Sequence, residues 1–175
     1  MSGVTVKLLV TGEPGSGKTT VIERVVARLP SGTATGFVTR ELRERGVRRG
    51  FAIHTLDGRT AVLARVASGE GPSVGRYHVQ LESLETVAVP ALAPHSGVRL
   101  VVVDEIGRME CLSRRFCDAV RAALDGPLPV LGTIGLRGRG FMAEVRTRRD
   151  LTIIQVTPGN RDWLPAEIAA RLGLA

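Results

Sequence analysis
The sequence predicts an α/β fold on a mostly parallel sheet, with an antiparallel piece inserted early, and three observations predict it. An apolar run over residues 6–10 stops at Gly12 and gives way to a glycine-rich turn and then a pattern of helical period. A second apolar run, residues 99–105, ends in Asp104 and Glu105, the mark of a buried parallel strand with function at its C-terminal end. Between them, residues 36–66 have β character and contain Asp57-Gly58, a tight-hairpin signal.

The first element is the most informative. Gly12, Glu13, Pro14, Gly15, Ser16, Gly17, Lys18 and Thr19 spell GEPGSGKT, with Thr20 next. Val21, Ile22, Val25, Val26 and Leu29 then share one face of a helix. Strand, glycine-rich turn and helix make a phosphate-binding loop in its proper context. Its backbone N–H groups point into one concavity, to which the helix start adds its own free N–H groups. Lys18 can reach the outer phosphates, and the Thr19 hydroxyl can ligate Mg²⁺. Only Lys7 and Lys18 are lysine among 24 basic residues, so a lysine at this position is not a product of composition.

Past a helix end near Pro30 and Gly32, residues 36–42, 51–56 and 61–66 read as three strands. A charged turn region, residues 43–50, joins the first two. Residues 68–77, rich in Gly, Ser and Pro, read as an exposed loop, and residues 81–92 as a helix interrupted by Pro90. After the strand at 99–105, Phe116, Val120 and Leu124 line a helix face. Residues 129–134 form a short buried strand that opens into a Gly-rich loop at 135–140. A short helix at 142–148, a strand at 151–156 and a closing helix with Leu164, Ile168 and Leu172 complete the chain.

The whole chain, residues 1–175, reads as one domain long enough for a substantial core. With 43% hydrophobic and 23% charged residues the mixture is globular, and aromatics at 3% leave aliphatic side chains to fill the core. The N-terminus has neither the basic segment nor the apolar run of a signal peptide, and no stretch is long enough for a membrane span. Cys111 and Cys117 have no metal-ligand partners at recognisable spacing and read as reduced thiols of a cytoplasmic protein. The net charge of +7 raises nucleic acid as a partner. Against it, Glu41 and Glu44 interrupt the arginines at 40–49, and stacking aromatics are nearly absent.

A nucleoside triphosphatase needs an acid for its metal and a group that orients the attacking water. Asp104 suits the first role and Glu105 the second. Glu110 either assists there or caps the helix beyond Ser113, and Thr133 is placed to sense the γ-phosphate.

GEPGSGKT, GFVTRELRERGVRRGFAIHTLDG (36–58), VGRYHV (74–79), VVVDEIGRME (101–110) and NRD (160–162) follow one another in the chain. Together they resemble the small P-loop nucleoside triphosphatases of thermophilic prokaryotes and the human cancer-related nucleoside triphosphatase. The resemblance implies a three-layer, RecA-like P-loop fold and Mg²⁺-dependent hydrolysis of ATP, GTP, CTP and UTP. It places phosphates on Gly12–Thr20, metal on Thr19 and Asp104, and catalysis on Lys18 and Glu105. The family often has a histidine after the Thr-Ile pair; Gly135 stands there instead. Arg43, Arg48, Arg137, Arg139 and Arg161 are the arginines that could serve in its place. Two other readings of the same loop are a nucleotide or polynucleotide kinase and a nucleotide-gated nucleic-acid-binding switch.

Overall fold
The computed structural model describes residues 5–67 and 71–174. In chain order the strands are β1 (Lys7–Thr11), β2 (Ala34–Glu44), β3 (Val47–Thr55), β4 (Thr60–Val66), β5 (Ser73–Val74), β6 (Tyr77–Val79), β7 (Leu100–Ile106), β8 (Val130–Ile134) and β9 (Leu151–Gln155). The helices are α1 (Lys18–Val26), α2 (Leu81–Ser83), α3 (Val89–Ala91), α4 (Arg114–Asp125), α5 (Phe141–Arg146) and α6 (Leu164–Arg171).

All nine strands join one mixed sheet in the order β5-β6-β4-β3-β2-β7-β8-β1-β9. The five strands from β2 to β9 in that order pair in parallel. The β2–β3, β3–β4, β4–β6 and β5–β6 pairs are antiparallel.

The parallel strands are apolar throughout because helices cover both faces. Successive residues of a strand point to opposite faces, and the core divides accordingly. Leu9, Val101 and Val103 join Phe116, Val120 and Leu124 of α4 on one face. Leu8, Val10, Leu100 and Val102 meet Val21 and Val25 of α1 and Ile168 of α6 on the other. This arrangement brings the C-terminal ends of β1, β7 and β8 together at one edge.

Three local expectations are corrected. The charged stretch at 43–50 is mostly strand: β2 and β3 run almost to the turn at Arg45-Gly46, because cross-strand pairing continues through Arg43↔Arg48 and Glu44↔Val47. The predicted loop at 68–77 contains β5 and the first residue of β6; these two strands pair antiparallel and β6 pairs onto β4, while residues 68–70 lie outside the described residues. Pro90 does not interrupt its helix. A π-helical segment, Leu84–Ala88, connects α2 to α3, and Pro90 sits in the first turn of α3. A widened turn tolerates the missing proline N–H there.

Candidate active site
The site is built where β1, β7 and β8 end. Between β1 and α1 the glycine-rich loop turns through Gly15 and Gly17, whose φ angles of 79° and 98° lie in the left-handed region that glycine enters freely. Lys18, the first residue of α1, folds back so that its ammonium donates to the carbonyls of Gly12 at 3.0 Å and Glu13 at 3.1 Å. Ser16 turns inward, its buried hydroxyl without a hydrogen-bond partner among the described residues.

Asp104 lies beneath the loop and is 1% exposed. Its Oδ2 accepts from the Thr19 hydroxyl at 2.8 Å and from the Thr39 N–H at 3.4 Å, and its Oδ1 accepts from the Thr133 hydroxyl at 2.7 Å. Burial pushes the Asp104 carboxyl upward, while these three hydrogen bonds and the Lys18 charge pull it back. Thr133 thus spends its hydroxyl proton on Asp104 and orients that carboxylate.

At this end of β7 the register against β8 jumps between Val103 and Ile106, and the Asp104–Glu105 peptide is cis. Asp104 is buried under the loop, and Glu105 lines an open cavity of about 640 Å³ with Pro14, Gly15, Gly17, Lys18, Thr19 and Thr20. Burial first, and the neighbouring Asp104 charge second, raise the Glu105 carboxyl, against the pull of Lys18.

Glu110 belongs to this group. A β-carbon on Gly107 would lie 2.7 Å from Glu110 Oε2 and 3.4 Å from Glu105 Oε1, so both carboxyls converge on that glycine. Burial above all, followed by the Glu105 charge, pushes Glu110 up to about 8. The helix-capping alternative fails, because α4 is capped by Ser113, whose hydroxyl accepts from the Phe116 N–H at 3.1 Å.

The arginines divide. Arg43 and Arg48 line the cavity and both pair with Glu41. Arg137 and Arg139 line a second cavity of about 580 Å³ instead, and Arg108 borders both. Arg161 lines neither cavity; its Cδ lies 3.8 Å from where a β-carbon on Gly17 would stand. At Gly135 a β-carbon would come within 2.7 Å of Met142 Cε, so the methionine fills the space a side chain would need. The sequence reading did not single out Arg40, Arg108 or the apolar wall of Phe51, Leu63 and Val74. Only the β-strand alternation around Phe51 could have pointed to that wall.

A family model described as NTPase matches residues 7–169. The chain belongs to this family. The nucleoside-triphosphatase THEP1 of Thermotoga sp. (strain RQ2) is 40% identical over 167 residues, covering 95% of each chain. The crystal structure of THEP1 from the hyperthermophile Aquifex aeolicus superposes with a TM-score of 0.86 at 34% identity, over 95% of this chain and 99% of that one. The solution structure of a human cancer-related nucleoside triphosphatase gives 0.78 at 38%, over 97% of each. The resemblance drawn from the motifs holds along the chain, and the family is that of the nucleoside triphosphatases. The two solved structures share the α/β sheet described above.

Proposed function
We propose that this chain is a Mg²⁺-dependent nucleoside triphosphatase of three-layer, RecA-like P-loop architecture with an inserted antiparallel hairpin. Its reaction is hydrolysis of the γ-phosphate of ATP, GTP, CTP and UTP to the diphosphate and inorganic phosphate. The cytoplasm is the proposed compartment. The observation that carries the reading is the convergence of Lys18, Thr19, Asp104 and Glu105 on one loop and one cavity.

The loop N–H groups and Lys18 would hold the β- and γ-phosphates and stabilise charge on the transferring group. Among the described residues no group of three or more His, Cys, Asp or Glu could form an all-protein metal cage. That suits Mg²⁺, which is held by one or two carboxylates together with substrate phosphates and water. Asp104 and the Thr19 hydroxyl, already 2.8 Å apart, would hold it. When bound, Mg²⁺ would supply positive charge that neutralises the phosphate chain. Glu105, at the cavity wall, orients the attacking water and takes its proton. Burial pushes the neighbouring Glu110 carboxyl up to about 8, and burial with the Asp104 charge also raises Glu105, as a proton acceptor requires.

A phosphate-release assay over the four nucleotides, with and without Mg²⁺, tests the reading. Lys18→Ala should abolish turnover. Glu105→Gln should retain nucleotide binding and lower kcat by about 10²–10⁴-fold, the usual range for a lost general base. Near-normal phosphate release by Glu105→Gln would remove that residue from the mechanism.

A further inference from the structure
The cavity is larger than a terminal phosphate requires, and the extra space lies on a definite side. On the hydrolytic reading, on which this inference rests, the attacking oxygen, the γ-phosphorus and the leaving oxygen are roughly in line. Glu105 marks the attacking end, so the diphosphate and nucleoside run away from it. The sheet order fixes those directions: β4-β3-β2 lie on one side of β7, and β8-β1-β9 on the other. The phosphate loop follows β1, on the β8-β1-β9 side. On that reading the nucleoside runs away from β7, on the β1 side of the sheet. The recess walled by Phe51 of β3, Leu63 of β4 and Val74 of β5 lies beyond Glu105, on the side from which the nucleophile comes.

We propose that this recess is a second binding site, for an aromatic alcohol that carries an anionic group, and that the γ-phosphoryl group is transferred to its hydroxyl. The nucleophile must be a neutral hydroxyl because the Glu105 carboxylate, which is to take its proton, would repel an anionic oxygen. The flat ring is matched by Phe51, which stands edge-on to Tyr77 at 5.2 Å and under the Arg48 guanidinium at 5.7 Å. Leu63 and Val74 complete an apolar wall. The anionic group is matched by Arg43 and Arg48, two guanidiniums that share the single carboxylate of Glu41 and so leave one positive charge unbalanced. Arg48 Nε is buried and has no hydrogen-bond partner among the described residues. In the transfer the acceptor oxygen forms a bond to the γ-phosphorus as the bond to the β,γ-bridging oxygen breaks. The hydroxyl proton passes to Glu105, and the nucleoside diphosphate leaves. Hydrolysis is the same step with water in the acceptor's place.

The test uses ATP labelled in its γ-phosphate with the full-length protein and Mg²⁺. Acceptor probes are 4-(hydroxymethyl)benzoate and adenosine 3′-monophosphate, each with a ring, a primary hydroxyl and an anionic group. Benzyl alcohol, lacking the charge, and glycerol phosphate, lacking the ring, are the controls. The expected result is label on at least one of the two probes and on neither control, with phosphate release falling as label transfer rises. Arg48→Ala and Phe51→Ala should each lower kcat/KM for the labelled probe at least ~10-fold, while the KM for ATP moves less than threefold. Phosphate release from ATP with no label on either probe, or label on the controls equally, overturns the proposal. So does a loss in both variants that falls equally on transfer and on ATP KM. No phosphate release in any tube overturns the hydrolytic reading itself, an outcome distinct from failed transfer.

Discussion
Asp104 and Thr133 come from neighbouring parallel strands, and the Thr133 hydroxyl donates to Asp104 Oδ1 at 2.7 Å in a fully buried setting. Thr19 holds the other carboxylate oxygen. The proposed metal carboxylate is thus clamped from both sides, by the helix that follows the phosphate loop and by the adjacent strand. A group supporting a metal ligand is typically worth 10–100-fold in metal affinity. Thr133→Val keeps the shape and removes the donor, and should weaken apparent Mg²⁺ affinity by about that factor. Thr133→Ser should restore it. Magnesium titrations of phosphate release check this; an unchanged Mg²⁺ dependence in the valine variant would show that Asp104 needs no such clamp.

Glu110 makes stability depend on pH. Glu110 is 5% exposed, and its carboxyl is pushed from an ordinary 4.5 to about 8, mainly by burial. Below about 4.5 the group is protonated folded and unfolded alike. Between about 4.5 and about 8 the folded protein keeps a proton that the unfolded chain has released. The folded state then binds more protons, so stability falls as pH rises through that window and levels above it. Glu110→Gln removes this contribution. Urea melts at several pH values should show the variant gaining on the wild type as pH climbs from about 5 to about 8. Parallel curves for the two proteins would mean that Glu110 ionises in the fold at its ordinary pH.

Gly36 sets how closely β2 approaches β7, and so where the Thr39 N–H meets Asp104. Its φ is 114°, and a β-carbon there would fall 1.9 Å from the Val102 carbonyl oxygen, a backbone atom that cannot move alone. Gly36→Ala combines backbone strain of about 1–3 kcal/mol with a clash in a packed sheet. It should destabilise by more than about 3 kcal/mol and lower activity in the fraction that still folds. Equilibrium denaturation decides the matter, and a loss below 1 kcal/mol would show that β2 can shift without cost.

Where chemistry is written locally, the sequence was readable. Lys18 and Thr19 follow their glycines directly, and Asp104-Glu105 end an apolar run that could only be a buried strand. What was missed depends on contacts between distant segments. Phe51, Leu63 and Val74 share a wall only because β3, β4 and β5 join one edge of the sheet. Residues 68–77 look like a loop because Gly75 and Pro72 mask strands that exist through the pairing of β5 with β6 and of β6 with β4. The roles of Glu110 and Thr133 turned on which neighbour each side chain faces, and sequence spacing does not encode that. Lys7 was the least visible, a charged residue inside an apolar run.

Lys7 is 4% exposed although it carries an ammonium group. Its Nζ donates to the carbonyl oxygens of Ala123 at 3.4 Å and Gly126 at 2.7 Å, and to that of Leu128. These carbonyls lie at and just beyond the C-terminus of α4, where helix carbonyls lack intrahelical partners and the dipole favours a cation. Lys7 thereby ties β1, the strand that presents the phosphate loop, to the helix behind the sheet. Desolvation, its largest perturbation, and the Arg148 charge lower its pKa, against the pull of Asp150 and Asp125. Lys7→Met fills the same volume but leaves the carbonyls unpaired. Hydrogen bonds to a charged group contribute about 1.5–3 kcal/mol, so a loss in that range is expected. Amide exchange should rise at the last turn of α4, while nucleotide affinity at Lys18, on the opposite end of the sheet, stays within a few-fold. A variant as stable as the wild type, with exchange at α4 unchanged, would mean that water satisfies those carbonyls as well as the ammonium does.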